Sequence, residues 1–250
     1  MVTKIPRFAF EKFPDTPQTL DTQMRSVGEA MAIGRTFKES LQKALRSLEN
    51  GWTGLHSHRR PSPDRKTQIE RLARAHPDRI LHVRDALAAG MSIEDAHDYS
   101  KIDPWFLGQI AEIVAIERRL IAASRKSKGK GAAALSDAEL REAKRAGFSD
   151  PQIAKWLGVT EDKVAHHRRV RGIRPSYKMV DTCAAEFESK TPYLYSSYEL
   201  TGDAPPTHKK KVAILGSGPN RIGQGVEFDC CCVHAAYALR EEGVEVIMIN

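Results

Sequence analysis

Apolar residues recur at helical spacing along most of this chain and give way to short continuous apolar runs only near its end. Five of them share the first clear helical face: Phe37, Leu41, Ala44, Leu45 and Leu48. This spacing predicts an amphipathic helix that buries one stripe. Thr36 followed by Glu39 has the capping-box pattern, in which both side chains bind free backbone N–H groups at the helix start.

The stretch from about residue 50 to residue 203 is predicted to be almost wholly helical. Asp103-Pro104 indicates the start of a long helix, because proline is tolerated at the first helical position. The apolar face of this helix is predicted to hold six residues: Phe106, Ile110, Ile113, Val114, Leu120 and Ile121. The polar, small-residue run at 126–134 predicts an exposed loop after it.

Three further helices are predicted after that loop. Their starts are marked by Ser136 with Glu139 as a capping box, by Asp150-Pro151, and by Thr160. Their ends are marked by glycines, of which Gly147 is expected to take the left-handed conformation of a helix C-terminus. Helices with such short connections are typical of a compact bundle.

The last forty residues change character. Apolar runs at 212–215 and 244–249 enclose a glycine-rich loop and a helical segment, which is the strand–loop–helix–strand pattern of an α/β domain. Two strands cannot bury both faces of a sheet, so this unit is expected to need further chain.

The glycine-rich loop is the first candidate site, because glycines and helix-start amides can cradle an anion. Its candidate ligand residues are Gly216, Gly218, Asn220, Arg221, Gly223 and Gln224. The spacing matches neither the dinucleotide fingerprint nor the P-loop, so a tight turn explains it equally well. Glu227 and Asp229 could repel an anion, orient a cation or cap the next helix, and capping is favoured for Asp229.

Composition restricts the class of protein. The chain has 250 residues, with 39 Lys and Arg against 32 Asp and Glu, and this basic excess permits contact with anions without establishing it. There is no long uncharged apolar run, so no membrane span is predicted. Three of the four cysteines are adjacent, which does not suit a disulfide framework and favours a reducing cytoplasm.

Cysteine and histidine residues give no metal site. Consecutive helical residues point in different directions, so Cys230, Cys231 and Cys232 are expected to be buried small hydrophobes even with His234 nearby. Cys183 is expected to be structural. Two histidine pairs, at 56 and 58 and at 166 and 167, lack a second pair at ligand spacing and are expected to be solvated surface.

Residues 152–164 have the pattern of a DNA-binding helix-turn-helix, followed by the basic run 166–171. Glu161 and Asp162 lie where base-reading residues belong, and they would oppose phosphates. A tight helix pair inside a bundle gives the same pattern, so a nucleic-acid or protein interaction module stays open as the alternative function.

Four blocks of sequence resemble the large subunit of glutamine-hydrolysing carbamoyl-phosphate synthases. They are KIPRFAFEKF at 4–13, QMRSVGEAMAIGRTFKESLQKALRSLE at 23–49, VDTCAAEFE at 180–188 and GSGPNRIGQGVEFD at 216–229. The resemblance spans essentially the whole chain. The helical zone between the blocks diverges more, and its KSKGKG run resembles an insertion relative to the family pattern. After the fourth block, Cys230 stands where the family pattern has an aromatic residue.

The resemblance implies a mixed fold: a central all-α helical bundle flanked by the end of an ATP-grasp domain and the first βαβ unit of an α/β pre-ATP-grasp domain. Residues 1–49 would be the tail of the first synthetic half, 50–203 the oligomerisation domain, and 204–250 the start of the second half. This placement of the helix-turn-helix pattern disfavours nucleic acid as a partner.

The resemblance also implies an enzymatic activity, which belongs to the full subunit and of which this chain would supply only one segment. The family makes carbamoyl phosphate from bicarbonate, ammonia and two ATP with Mg²⁺ and K⁺, for arginine and pyrimidine biosynthesis. The ammonia comes from a glutaminase small subunit. Glu29, Gly225 and Glu227 match positions that line the carbamate tunnel. No catalytic residue, metal ligand or ATP site falls in this segment, which is expected to form homo-oligomers and to be inactive alone.

Overall fold

The computed structural model describes residues 1–56, 64–126, 131–215 and 230–249. The strands are β1 (Val2–Phe8), β2 (Ser26–Ile33), β3 (Ser176–Met179), β4 (Leu194–Ser197), β5 (Lys211–Leu215) and β6 (Glu245–Ile249). The helices are α1 (Phe37–Arg46), α2 (Arg65–Ala73), α3 (Arg79–Ala88), α4 (Ile93–Ser100), α5 (Pro104–Lys126), α6 (Asp137–Arg145), α7 (Asp150–Leu157), α8 (Glu161–Val170) and α9 (Cys230–Glu241).

The chain starts with an antiparallel hairpin, which the sequence analysis does not predict. β1 pairs with β2, with Val2 opposite Ile33 and Pro6 opposite Glu29. Alternate residues point to opposite faces of a strand, and one face of this hairpin packs on α1. Ala30 is buried on that face, so the hairpin is joined to the helical core through α1.

The predicted apolar stripe of α1 is confirmed, and its start differs from the prediction in one bond. Thr36 accepts a hydrogen bond from the Glu39 N–H, as a capping box requires. The Glu39 carboxylate, however, accepts from the Arg35 N–H at 2.8 Å and from the Ser197 hydroxyl at 3.1 Å. The reciprocal bond to Thr36 was therefore predicted wrongly, because β4 brings a competing donor to this buried carboxylate.

The long helix α5 lies at the centre of the bundle and packs against α1, α3, α4 and α7. Four of its six predicted core residues are buried: Ile110, Ile113, Val114 and Leu120. Ile121 is half-buried. Phe106 was predicted wrongly, because it lies near the helix start and is 41% exposed. The Asp103 carboxylate accepts from the Trp105 N–H at 2.8 Å and caps the helix as expected.

Helices α6 and α1 approach each other closely at the end of α6. Ser136 and Glu139 form the predicted capping box at its start, and Gly147 takes a left-handed conformation at its end, with φ of +91°. A Cβ on Gly147 would lie 2.9 Å from the Glu39 Cα. Only a glycine at position 147 lets the α1 backbone approach the end of α6 this closely. This approach allows the Gln42 side chain to donate a hydrogen bond to the Ala146 carbonyl at 2.7 Å.

Residues 50–203 are not wholly helical, which corrects the prediction. β3 and β4 form an antiparallel pair, and Ser197 of β4 is buried. Each strand has only four residues. Such short strands carry too little period-2 pattern to be recognised from the sequence.

A buried ionic cluster joins the last helices of the bundle to the segment after β4. Asp150 accepts from the Lys144 ammonium at 2.8 Å and from the Arg168 Nε at 2.9 Å. The Tyr198 ring contacts both cations, with its centroid 5.1 Å from the Lys144 Nζ and 5.6 Å from the Arg168 Cζ. Asp150 thus connects α6, α7 and α8, and the two cation–π contacts add the chain that follows β4.

The cluster holds more positive charge than its one carboxylate can offset. Burial lowers the pKa of Lys144 to about 8, although Asp150 opposes this shift. Burial also acts to raise the pKa of Asp150, but Lys144 and Arg168 outweigh it and hold the pKa below its usual range. Burial raises the pKa of Tyr198 to about 12. Asp150 is therefore ionised at neutral pH, and Lys144 is charged at an energetic cost.

We expect Gly147→Ala to destabilise the protein more than the same change at Gly158. Both glycines have positive φ, so alanine costs about 1 kcal/mol of backbone strain at either site. Only Gly147 has backbone within 3 Å of the added methyl group, whereas nothing lies within 4 Å at Gly158. Urea unfolding should show a loss at Gly147 exceeding that at Gly158 by roughly 1–3 kcal/mol. Equal losses would contradict the close approach of α1.

Lys144 makes the stability of the protein rise with pH above about 8. In the unfolded chain the Lys144 pKa returns to 10.5, so between these two values the unfolded state binds more protons than the folded state. The free energy of unfolding contributed by Lys144 then increases by up to about 1.4 kcal/mol per pH unit. Urea unfolding between about pH 7.5 and about pH 9.5 should show this rise in the wild type and not in Lys144→Met. Equal slopes in the two proteins would contradict the assignment.

Candidate functional site

Glu29 is the only predicted tunnel residue among the described residues, and it lies on the outward face of the β1–β2 hairpin. Its side chain is exposed and accepts a hydrogen bond from the Lys4 ammonium at 2.7 Å. Three apolar side chains around this ion pair are also exposed: Val2, Val27 and Met31. The face therefore carries a carboxylate acceptor, paired with Lys4, among exposed apolar groups.

The other predicted tunnel residues, Gly225 and Glu227, lie outside the described residues. The same holds for the ligand-loop candidates Gly216, Gly218, Asn220, Arg221, Gly223 and Gln224. The elements on both sides of this loop are described and confirm the predicted βαβ unit. β5 and β6 are parallel neighbours, with Lys211 opposite Glu245 and Leu215 opposite Ile249, and α9 connects them. The loop therefore follows the carboxyl end of β5, the edge at which α/β sheets bind ligands.

The β5–β6 pair leaves apolar surface exposed, as expected for two strands alone. Leu215, Ile247 and Met248 are all more than two-fifths exposed. Cys230 and Cys231 are exposed as well, so their predicted burial was wrong for this chain. The reason is that α9 has only two strands to pack against. These apolar side chains could be covered by further strands of the same sheet.

Cysteine and histidine residues do not gather into a metal site in the part of the chain that the structure describes. Cys183 is half-buried and has a free thiol. His56 is buried, which corrects its predicted exposure, and its Nδ1 lies 3.1 Å from the Gly54 carbonyl. His58 is not among the described residues.

Helices α7 and α8 form a helix–turn–helix in which two of the basic side chains are bound to other residues of the protein. The turn residue Gly158 is left-handed, with φ of +64°. Arg168 donates to Asp150 and to the Ile173 carbonyl, and Arg171 pairs with Asp137 at 2.7 Å. Two cations that would contact phosphates on DNA are therefore engaged within the protein, which favours a bundle helix pair over a recognition helix.

A basic groove, which the sequence analysis missed, lies between the start of α1, the middle of α5 and α6. Its volume is about 540 Å³. Five cations line it, namely Arg35, Lys38, Arg119, Arg141 and Arg145, together with the carboxylates of Glu112, Glu142 and Glu199. The cations come from three helical segments far apart in sequence, so no local motif indicates the groove.

Each carboxylate of the basic groove is already paired. Glu112 pairs with Lys38, Glu142 with Arg119, and Glu199 with Arg145. Hydrogen bonding to Tyr195 raises the pKa of Arg35, which forms no ion pair with a carboxylate of the described residues. Arg141 makes no hydrogen bond or ion pair with any of the described residues. The groove therefore keeps two positive charges in excess.

No described helix is both long and apolar enough to cross a membrane.

Comparison with known families gives two matches along the chain. Residues 29–172 match the model of the carbamoyl-phosphate synthetase large chain, oligomerisation domain. Residues 208–250 match the model of the carbamoyl phosphate synthase preATP-grasp domain. The first match covers the region from β2 through α8, and the second covers the β5–α9–β6 unit. The order of the two matches agrees with the order expected from the resemblance.

Similar proteins match over the full length of this chain. The chain is 55% identical to the carbamoyl phosphate synthase large chain of Haemophilus ducreyi, covering 100% of this chain and 22% of that protein. Identity is 54% to the Neisseria meningitidis protein of the same name and 53% to that of Xanthomonas campestris, again over 100% of this chain. The chain spans about a fifth of the length of these curated relatives. It belongs to the carbamoyl-phosphate synthase large chain family.

Proposed function

We propose that this chain is the central segment of the large subunit of a glutamine-dependent carbamoyl-phosphate synthase, where it joins the two synthetic halves. The observation that carries the proposal is a match of more than half the residues over the entire chain to large chains of that name. The complete subunit would be an ATP-dependent ligase acting with a glutaminase small subunit. ATP, Mg²⁺ and K⁺ would bind outside this segment.

The division of labour follows the order of the elements. Residues 1–49, which hold the β1–β2 hairpin and α1, would end the first synthetic half. Residues 50–203 would support oligomerisation, and residues 204–250 would open the second half. The packing of α1 against both the hairpin and α5 supports this arrangement, because it holds the end of one half firmly on the bundle.

The tunnel assignment of Glu29, Gly225 and Glu227 is part of the proposal. The position of Glu29 supports it: the carboxylate lies on an outward face whose apolar neighbours are uncovered within this chain. Walls of the remaining subunit could close that face into a passage. A carboxylate there accepts hydrogen bonds from the N–H groups of the intermediate in its neutral carbamic acid form, and a glycine at a narrow point leaves room for it.

A bulky residue at position 225 should uncouple the two halves of the complete subunit. In Gly225→Phe, ammonia-dependent formation of carbamoyl phosphate should fall at least about tenfold, a rise of about 1.4 kcal/mol in the overall barrier. Bicarbonate-dependent ATP hydrolysis by the first half should stay within about twofold. Gly225→Ala is the size control and should lie between wild type and Gly225→Phe. Unchanged synthesis in Gly225→Phe would remove Gly225 from the tunnel.

The proposed oligomerisation role predicts self-association of the 250-residue chain. Light scattering at increasing protein concentration should show a mass above that of one chain, because subunit contacts obey mass action. A strict monomer over the micromolar range would contradict the role. Duplex DNA added in the same experiment should not bind with the steep salt dependence that phosphate contacts produce.

A further inference from the structure

Three aromatic side chains meet on the surface where α5 begins. The Phe37 ring lies 5.7 Å from Trp105 and 5.0 Å from Phe106, and Trp105 and Phe106 are 5.0 Å apart. Although they pack on each other, Trp105 is 51% exposed and Phe106 is 41% exposed. Exposed apolar patches often mark interaction sites, and aromatic residues are enriched in interfaces relative to the rest of a protein surface.

Helix α5 continues this aromatic cluster into the basic groove along a single face. Trp105, Gly108, Glu112, Ala115 and Arg119 follow one another at intervals of three and four residues, so they form one stripe on the helix. Glu112, Ala115 and Arg119 line the groove. The aromatic cluster and the groove are therefore two ends of one surface, here named the α5 face.

Gly108 lies in the middle of this stripe, where nothing among the described residues requires a glycine. Its φ is not positive, and a Cβ built on it would meet no atom within 4 Å. Glycine inside a helix weakens the helix relative to alanine. A glycine that fills no need within its own chain is explained when a second surface approaches the helix backbone closely at that point.

The charge of the α5 face selects its partner. The groove holds five cations and three carboxylates, so a second copy packed on the same face would bring like charges together. An acidic protein surface with apolar side chains fits both the groove and the aromatic cluster.

We propose that the α5 face is the docking surface for an acidic, apolar-tipped region of the large chain that lies outside these 250 residues. The inference rests on the proposed function, since relatives supply about four-fifths of their length beyond this segment. Trp105 and Phe106 insert into that region, Arg35 and Arg141 pair with its carboxylates, and its backbone or side chains approach α5 at Gly108.

Hydroxyl-radical footprinting at Trp105 tests the docking. The 250-residue chain is compared with the complete large chain, and oxidation of Trp105 is measured by mass spectrometry. The Trp105 side chain is 51% exposed in the 250-residue chain. If docking lowers this exposure to less than about a tenth, oxidation of Trp105 should fall roughly fivefold in the complete chain. The protection should not depend on protein concentration. Equal oxidation in the two proteins would overturn the inference, and protection that grows with concentration would assign the face to a second copy instead.

Variants of the complete chain test the chemistry of the surface. Gly108→Phe should restore oxidation of Trp105, whereas Gly108→Ala should restore little of it. Gly108→Ala should also raise the unfolding midpoint of the 250-residue chain, since its methyl group meets open space. Arg141→Glu should expose Trp105, while Arg74→Glu, an exposed arginine outside the α5 face, should leave it protected. Protection retained in both Gly108→Phe and Arg141→Glu would overturn the proposal.

The two levels of the proposal fail separately. A complete chain that makes carbamoyl phosphate while Trp105 stays fully oxidised would overturn the docking surface and leave the function intact. A complete chain, combined with its glutaminase, that makes no carbamoyl phosphate would overturn the proposed function whatever Trp105 shows.

Discussion

A single buried carboxylate, Asp150, organises the end of the helical bundle. It lies in the first turn of α7, accepts from Lys144 on α6 and Arg168 on α8, and through their shared contact with Tyr198 it holds the chain after β4. Buried ion pairs add little net stability, but breaking one leaves uncompensated charge and is costly. Asp150 therefore fixes which elements meet more than it raises stability. The bond to Asp150 also occupies Arg168, which removes a cation from the DNA-binding alternative.

Most of the helical features could be predicted from local patterns in the sequence. The stripe of α1, the cap of α5 at Asp103, the capping box at Ser136 and the left-handed Gly147 are local patterns, and all were confirmed. The hairpin β1–β2 was missed because it is held by contacts with α1 that sequence spacing does not show. The pair β3–β4 was missed because each strand has only four residues. Phe106 was wrongly assigned to the core because apolar spacing alone does not distinguish a buried helix face from an exposed apolar face.

The candidate site was predictable only in part. The proposed tunnel role of Glu29 came from resemblance, and the structure adds that this carboxylate lies on an exposed face of the hairpin. The basic groove and the α5 face had no sequence signal, since Arg35, Arg119 and Arg141 become neighbours only after the bundle forms. The proposed function gives the uncovered faces of the hairpin, of α5 and of the β5–β6 pair a common explanation: a segment of about a fifth of a large chain would leave surfaces for the rest.

Hydrogen exchange in Asp150→Asn tests most directly whether this carboxylate joins the bundle to β4. Glu142→Gln, which removes an exposed ion pair with Arg119, is the matched control. Asp150→Asn should lower the free energy of unfolding by about 3–5 kcal/mol and strip protection from the amides of β4 and α8, while the control should change stability by less than about 1 kcal/mol. Unaltered protection of β4 in Asp150→Asn, with a loss no larger than that of Glu142→Gln, would contradict the central place of Asp150.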